Sequence, residues 1–449
     1  MPNQGYTYQK DQQQKKKEDQ VKNVDLYLGV LFDGTNNNEY NIDIYNDDAL
    51  RKWLTDELEL PTPDSALQGY SNVARFHQVY KEDNSNKAKL AASVYIQGVG
   101  TSLWEDSRKQ GQGFGKGPMG INAKVQDGCV AIVKKINYFA KKVIKKPCKI
   151  TLHLSVIGFS RGAATARRFI TSIDKTSGDV DSSYNECLSD HLKEHFKKKG
   201  LVRDVKVQVP FAGLFDTVSS YGYRKTIFSI SDNVKELGLS LTNSKAKNIV
   251  QLCAADEYRK HFSLTTTGKG IEYIIPGAHS DVGGGCKEED EIWQETERPS
   301  LRNGFKRKMN GFKTKDELKA EGWFTQADID KKQRKVYPDY CLIPFDFMLK
   351  YLKQYNNGCT IIDSAKLSNL KYKTVPSDLA QIKNLIMAKK EFYKFEGSKK
   401  DRRISAFNGN EAQRAMIAKV RNKYLHLSAK GGMVNGPAKS NVRIIVDGK

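Results

Sequence analysis

Residues 149–162 constrain the fold of this chain more than any other stretch. Lys149-Ile-Thr-Leu-His-Leu-Ser-Val-Ile157 has the apolar character of a buried strand. It stops at Gly158-Phe-Ser-Arg-Gly162, and Arg161 to Ile173 reads as a helix. A strand that becomes a helix within five residues needs a sharp, strained bend. Side chains at 158 and 162 would collide there, so both positions are glycine. Ala163 and Ala164 let the helix pack close to the neighbouring strand. The bend lifts Ser160 clear of the backbone and sets helix-terminal amides and the positive dipole end beside it. In this context G-x-S-x-G is the pattern of a serine nucleophile, with the Arg161 N–H as one oxyanion donor. The plainer reading is a turn with a capping serine.

Other apolar runs end the same way. Asp25-Leu-Tyr-Leu-Gly-Val-Leu-Phe32 stops at Asp33-Gly-Thr-Asn-Asn-Asn38, and residues 92–97 stop at Gly98-Val-Gly-Thr101. Val205 to Phe215 ends in Asp216-Thr217. Ile271 to Ile275 ends in Pro276-Gly-Ala-His-Ser-Asp281. Ile121 to Lys146 reads as an amphipathic helix on Val125, Val130, Ile132, Val133, Ile136 and Phe139. Alternating strand and helix units predict a mostly parallel sheet flanked by helices, an α/β fold of the α/β-hydrolase type. Function in such sheets sits at the carboxyl ends of strands, where Asp33, Ser160, Asp216 and His279 all fall. The expected organisation is a mobile Gln/Lys-rich tail over 1–23 and a catalytic core over 24–285. A charged insertion or lid over 286–339, holding Trp293 and Trp323, and a helical C-terminal part over 340–449 complete it. Val442–Val446 is a candidate closing strand.

A serine hydroxyl needs a base to take its proton, and the chain has seven histidines. His153 lies inside a strand, and His77 and His261 lack a strand-end setting. His279, in the glycine-rich loop after a strand, is the best base, with His426 as competitor. Asp216, at a strand end upstream of His279, is the expected orienting acid; Asp281, two residues from His279, is the alternative. A second oxyanion donor is expected from the amide of Gly34 or Thr35.

Other signals are weaker. His191-Leu-Lys-Glu-His195 fits an inverted zinc-protease spacing, but the segment is hydrophilic and offers no third ligand. The run from Gly111 to Gly117 lacks the ending of a phosphate loop and reads as a flexible loop or lid hinge. The seven cysteines, Cys129, Cys148, Cys187, Cys253, Cys286, Cys341 and Cys359, form no CxxC pair and read as reduced thiols. No metal and no cofactor is expected. Lys and Arg total 74 against 52 Asp and Glu, a formal net charge of +22. That surplus favours an anionic partner, and the lysines show no nucleic-acid-binding signature. The N-terminus lacks the apolar core of a signal peptide and no run is long enough to span a membrane. These features predict synthesis in the cytoplasm and, if the protein is exported, a route needing no cleaved signal.

Taken in order, Leu28-Gly-Val-Leu-Phe-Asp-Gly-Thr-Asn-Asn37, Gly98-Val-Gly-Thr101, Gly158-Phe-Ser-Arg-Gly162, Gly213-Leu-Phe-Asp-Thr-Val218 and Gly277-Ala-His-Ser-Asp-Val-Gly-Gly-Gly285 resemble the first family of bacterial type VI secretion lipase effectors. The resemblance covers roughly residues 24–290. It implies an α/β-hydrolase that cleaves phospholipids with A1 or A2 regiochemistry, with its triad on Ser160, Asp216 and His279. It further implies delivery on a secretion spike or adaptor, action on the membrane from the target periplasm, and a cognate immunity protein. The rival expectations are a carboxylesterase or other serine hydrolase on a non-lipid ester, and a non-enzymatic basic membrane-binding module.

Overall fold

The computed structural model describes residues 21–106, 117–174, 187–196, 200–223, 230–232, 237–292, 297–299, 306–308, 312–356, 360–370, 375–398, 401–429, 436–438 and 442–448. Seven strands form one sheet: β1 (Lys22–Phe32), β2 (Asp83–Asn86), β3 (Lys89–Ile96), β4 (Cys148–Phe159), β5 (Val202–Phe215), β6 (Ala246–Ala254) and β7 (Ile271–Ile275). Their spatial order is β7-β6-β5-β4-β1-β3-β2. All neighbours run parallel except β2, which pairs antiparallel with β3. The chain builds outward from β1 to β3, then crosses back to place β4 on the other side of β1. The order therefore reverses between β1 and β4, where open α/β sheets form their crevice.

Burial along the strands explains why both faces are covered. In β1, Tyr27 and Leu31 join one apolar cluster, while Leu26, Leu28, Val30 and Phe32 join the other. In β4 the split is Ile157 and Phe159 against Ile150, Leu152, Leu154 and Val156. Such two-sided alternation belongs to a central parallel strand. Each large side chain removed from water contributes about 1.5–3 kcal/mol.

Helices α1 (Asn72–Val79) and α5 (Leu342–Tyr355) cover the first cluster, through Phe76 and Val79 and through Ile343, Phe345, Phe347 and Met348. Ser71 caps α1, its Oγ accepting from the Ala74 amide at 3.0 Å. Helices α2 (Ile121–Tyr138) and α3 (Arg161–Thr171) cover the second cluster, through Val125, Cys129 and Ile132 and through Ala163, Ala166 and Phe169. The helix expected to reach Lys146 widens into π turns over Phe139–Ile144 and ends at Lys145 in the left-handed region, φ 55°. Val130, expected on its apolar face, is 38% exposed, and Cys129 fills the buried position instead.

The strand β6 escaped the sequence pattern. Its Gln251 is fully buried, bonded through Oε1 to Thr217 and through Nε2 to the Thr265 carbonyl and Glu272. A polar side chain satisfied by tertiary partners breaks the apolar run that marks a strand. The closing strand is shorter than expected: Ile445–Val446 pairs with Leu264–Thr265, outside the main sheet. Buried Arg167 secures this end of the chain by donating to the carbonyls of Leu239, Thr265, Thr266 and Gly448.

Within the charge-rich stretch, Glu289–Ile292 pairs with Gln333–Val336. Its buried Arg334 binds Glu291 and donates to the carbonyls of Trp323, Arg421, Asn422 and Leu425. Those contacts tie the stretch to α6 (Glu411–Tyr424). Lys22 and Asn23, placed in the expected tail, already pair with Cys148 and Lys149. Residues 1–20, Trp293 and the loop at 107–116 lie outside the described residues. Among the described residues no helix is long and apolar enough to cross a membrane.

Candidate active site

Ser160 follows β4 with φ 58° and ψ −127°. This backbone conformation costs a residue with a side chain about 1–3 kcal/mol, so the surroundings must impose it. The Ser160 amide donates to the Phe215 carbonyl at 3.0 Å, and its carbonyl accepts from Ala163 at 3.0 Å and Val218 at 3.3 Å. The bend is thus fixed to the end of β5 on one side and to α3 on the other. A Cβ on Gly162 would lie 2.1 Å from the Asp33 carbonyl oxygen and 2.4 Å from that of Phe32. Only glycine lets α3 start against the end of β1.

Asp216 follows β5 and is fully buried, also at positive φ, 46°. Its Oδ2 lies 2.5 Å from Nδ1 of His279, and its Oδ1 accepts from the Ala254 amide at 2.8 Å. Arg443 closes the other side as a fork, Nη1 to Oδ1 at 2.6 Å and Nη2 to Oδ2 at 2.7 Å. Burial works to raise the Asp216 pKa, but Arg443 and His279 outweigh it and hold the carboxyl well below the ordinary range. An ionised Asp216 fixes the His279 proton on Nδ1 and leaves Nε2 as the basic nitrogen.

His279 opens the short helix α4 (His279–Gly283). Its ring lies between Phe159 and Phe262, with centroids 4.7 and 5.1 Å away. Burial pushes its pKa below the ordinary value despite Asp216, so the imidazole is neutral at neutral pH. Its Nε2 is buried and has no hydrogen-bond partner among the described residues. Ser160 and His279 line one cavity of about 470 Å³, together with Thr35, Arg161, Arg259 and His261. The Phe159 ring is gripped between the loop after β1 and the end of α4, since a Cβ on Gly34 or Gly283 would lie 2.4 or 1.9 Å from it.

The loop after β1 is set by Asp33. Its Oδ1 accepts from the Gly34 amide at 2.7 Å and from Ser71 Oγ at 2.6 Å, and its Oδ2 accepts from Tyr95 at 2.5 Å. Burial raises the Asp33 pKa to about 6 although these donors favour the carboxylate. The expectation for Gly34 is corrected here, because its N–H is already committed to Asp33. Thr35 lines the cavity, and its Oγ1 accepts from Arg161 Nε at 2.8 Å. Burial lowers the Arg161 pKa to about 10, which leaves it charged.

The two alternatives pair with each other. Asp281 Oδ1 lies 2.6 Å from His426 Nδ1, and its carboxylate also accepts the Ala278 and His426 amides. His426 does not line the Ser160 cavity; it lines a neighbouring one with Cys286. His153 stacks on Tyr27 and bonds Asp25 at 2.8 Å, and His191 bonds Gln126 at 2.6 Å. Sequence reasoning missed Arg443, Glu257 and Arg259, and it set aside His261, which lines the cavity. Glu257 accepts from the His279 amide at 3.3 Å and pairs with Arg259 at 2.8 Å. No pattern announces Arg443, which stands alone near the chain end among many basic residues.

Residues 175–303 match the family described as T6SS phospholipase effector Tle1-like, catalytic domain. This stretch holds Asp216 and His279, with Ser160 just upstream. The structure of the Tle1 effector bound to the VgrG spike of the type 6 secretion system is similar over 95% of this chain and 94% of that one, with TM-score 0.59 and 19% identity. An uncharacterised protein from Pseudomonas aeruginosa is 18% identical over 85% of this chain and 52% of its own, TM-score 0.46. Thermogutta terrifontis esterase 2 phosphorylated by paraoxon is 8% identical over 59% of this chain and 76% of its own, TM-score 0.23. No curated protein matches the chain. The resemblance drawn from the ordered motifs stands, and the fold is α/β-hydrolase-like with a mostly parallel sheet flanked by helices.

Proposed function

We propose that this chain is a phospholipase that cleaves fatty-acyl esters of bacterial membrane lipids through Ser160, His279 and Asp216, as an antibacterial effector delivered by type VI secretion. One observation carries the reading: a buried Asp216–His279 pair at 2.5 Å leaves Nε2 without a partner among the described residues, beside the cavity that Ser160 lines. Ser160 attacks the ester carbonyl as His279 Nε2 accepts its proton. Asp216 holds the imidazole by Nδ1 and stabilises the imidazolium that forms. The oxyanion falls to the amide of Arg161, in the first turn of α3, and to that of Thr35. His279 then protonates the departing lysolipid oxygen. A water activated by the same nitrogen releases the fatty acid and restores Ser160.

Arg161, a charged side chain on the cavity wall, favours a phosphate-bearing ester over a neutral one. The likeness to an effector solved on its VgrG spike supports a spike or adaptor as partner. The reading includes action from the target-cell periplasm and a cognate immunity protein in the producing cell. The test is lipid-product analysis of wild type beside Ser160→Ala. The expected products are free fatty acid and lysophospholipid, whose acyl position distinguishes A1 from A2 cleavage. The variant should lose on the order of 10⁴-fold in rate. A loss near tenfold, or equal labelling of both proteins by a fluorophosphonate, would remove Ser160 as the nucleophile.

A further inference from the structure

We propose that Cys286 is a nucleophilic thiol, served by His426 and Asp281, that takes disulfides by thiol–disulfide exchange. The loop that carries His279 into one cavity carries Cys286 to the neighbouring one, and the two cavities share Gln68, Arg259, Ser280 and Gly285. Asp281, 2% exposed, does for His426 what Asp216 does for His279, fixing the ring through Nδ1 at 2.6 Å. That leaves His426 Nε2, which is buried and has no hydrogen-bond partner among the described residues. His426 itself is 6% exposed and lines the second cavity beside Cys286. Donor atoms of Asp281, Cys286 and His426 lie within 4.8 Å of one another.

The arrangement fits a thiol better than an ion. Asp281 is already engaged by three donors, which leaves Cys286 Sγ and His426 Nε2, two groups where a zinc site takes at least three protein ligands. Cys286 is half-buried, whereas Cys129, Cys148, Cys187, Cys253 and Cys341 are buried. Burial opposes charge on His426, yet Cys286 and Asp281 raise its pKa well above the ordinary value. An imidazole held through its other nitrogen by a carboxylate is placed to take the proton of a neighbouring thiol, and the thiolate is the reactive form.

The exchange balances without a further oxidant. The Cys286 thiolate attacks one sulfur of R–S–S–R′, the new S–S bond forms as the old one breaks, and R′S⁻ leaves with the proton held by His426. The inference does not depend on the hydrolase reading.

Other groups also face the thiol. Lys287 and Glu289 lie beside it, Arg75 comes from α1, Asp339 and Cys341 precede α5, and Arg259 lies across the cavity. Among these and the Asp281–His426 pair, only His426 has an ordinary pKa between pH 5.5 and 8.

The test uses the reduced full-length chain in EDTA. Its reaction with an aromatic disulfide is timed from pH 5.5 to 9, and the adduct is mapped by mass spectrometry. One fast equivalent should map to Cys286 and disappear in Cys286→Ser. At pH 6 it should react at least tenfold faster than the thiol of a free peptide spanning residues 283–289. His426→Gln, checked for an unchanged melting temperature, should abolish that advantage. If His426→Gln fails to fold, the wild-type comparison with the free peptide decides alone. A fast equivalent elsewhere, or a Cys286 rate that falls tenfold per pH unit below pH 8 as the peptide's does, would overturn the proposal.

Discussion

Arg443→Met probes the site from its far end. Arg443 is 3% exposed and spends both Nη atoms on Asp216, while its Nε donates to the Phe262 carbonyl at 2.9 Å and its Nη1 to that of Ala254 at 3.1 Å. Methionine keeps much of the volume and removes the charge. Among the described residues Asp216 then stands buried with only the Ala254 amide and His279 as donors. Breaking a buried pair from one side costs about 3–5 kcal/mol. Unfolding entropy of about 2.1 cal/mol/K per residue amounts to roughly 0.9 kcal/mol/K here, so the melting midpoint should fall by only about 3–5 °C.

The pH behaviour has a definite sign. The Asp216 pKa is depressed in the folded state, so its contribution is present above the unfolded value near 3.8 and lost as pH falls through the folded value. The variant should therefore lose most at neutral pH and converge on wild type in acid. Loss of the guanidinium also strengthens the pull of Asp216 on His279, so the acid limb of kcat/KM should move to higher pH. Asp216→Asn/Arg443→Met should cost less than either single change, because no buried charge is left unpaired. Scanning calorimetry and pH–rate profiles read all of this. Additive single effects, or a variant melting within 1 °C of wild type with an unmoved acid limb, would refute the reasoning.

The remaining expectations concern other parts of the same crevice. Gly162→Ala forces a Cβ to within 2.1 Å of the Asp33 carbonyl oxygen; backbone on backbone cannot yield cheaply, so fluorophosphonate labelling should be lost even where far-UV circular dichroism persists. Asp33 rises from 3.8 to about 6 on folding, so its ionised form opposes folding by about 3 kcal/mol. Stability from this group is gained as pH falls below about 6 and lost as pH rises through it; the difference in urea stability between wild type and Asp33→Asn should change by up to that amount between pH 7 and pH 4. Trp53 and Leu58 are 53% and 46% exposed on the stretch leading to Gln68 at the cavity. Changing both to Ser should lower hydrolysis of lipid vesicles roughly 10- to 100-fold, because each half-exposed side chain has only about half of its ~1.5–3 kcal/mol of burial left to gain at a membrane, and leave a soluble short-chain ester unaffected.

What the sequence could reveal was set by distance along the chain. Ser160, Asp216 and His279 each follow an apolar run, and strand ends in a parallel sheet share one rim, so their meeting is a consequence of topology. The two alternatives, Asp281 and His426, pair with each other for a local reason. His279 and Asp281 are two residues apart, but on the helical turn α4 positions i and i+2 point about 200° apart, so one reaches Asp216 and the other reaches His426. The charge partners were invisible because they are distant, Asp216 and Arg443 being separated by 227 positions and Asp281 and His426 by 145. Composition records only a surplus of basic residues, of which a few are buried and decisive. Arg443 sits just before the strand Ile445–Val446, which docks on Leu264–Thr265. The carboxylate at the centre of the crevice is therefore neutralised only once the C-terminal segment is seated. Burial of Asp216 as an anion is thus coupled to the docking of that segment, and the proposed triad depends on a contact made 227 positions further along the chain.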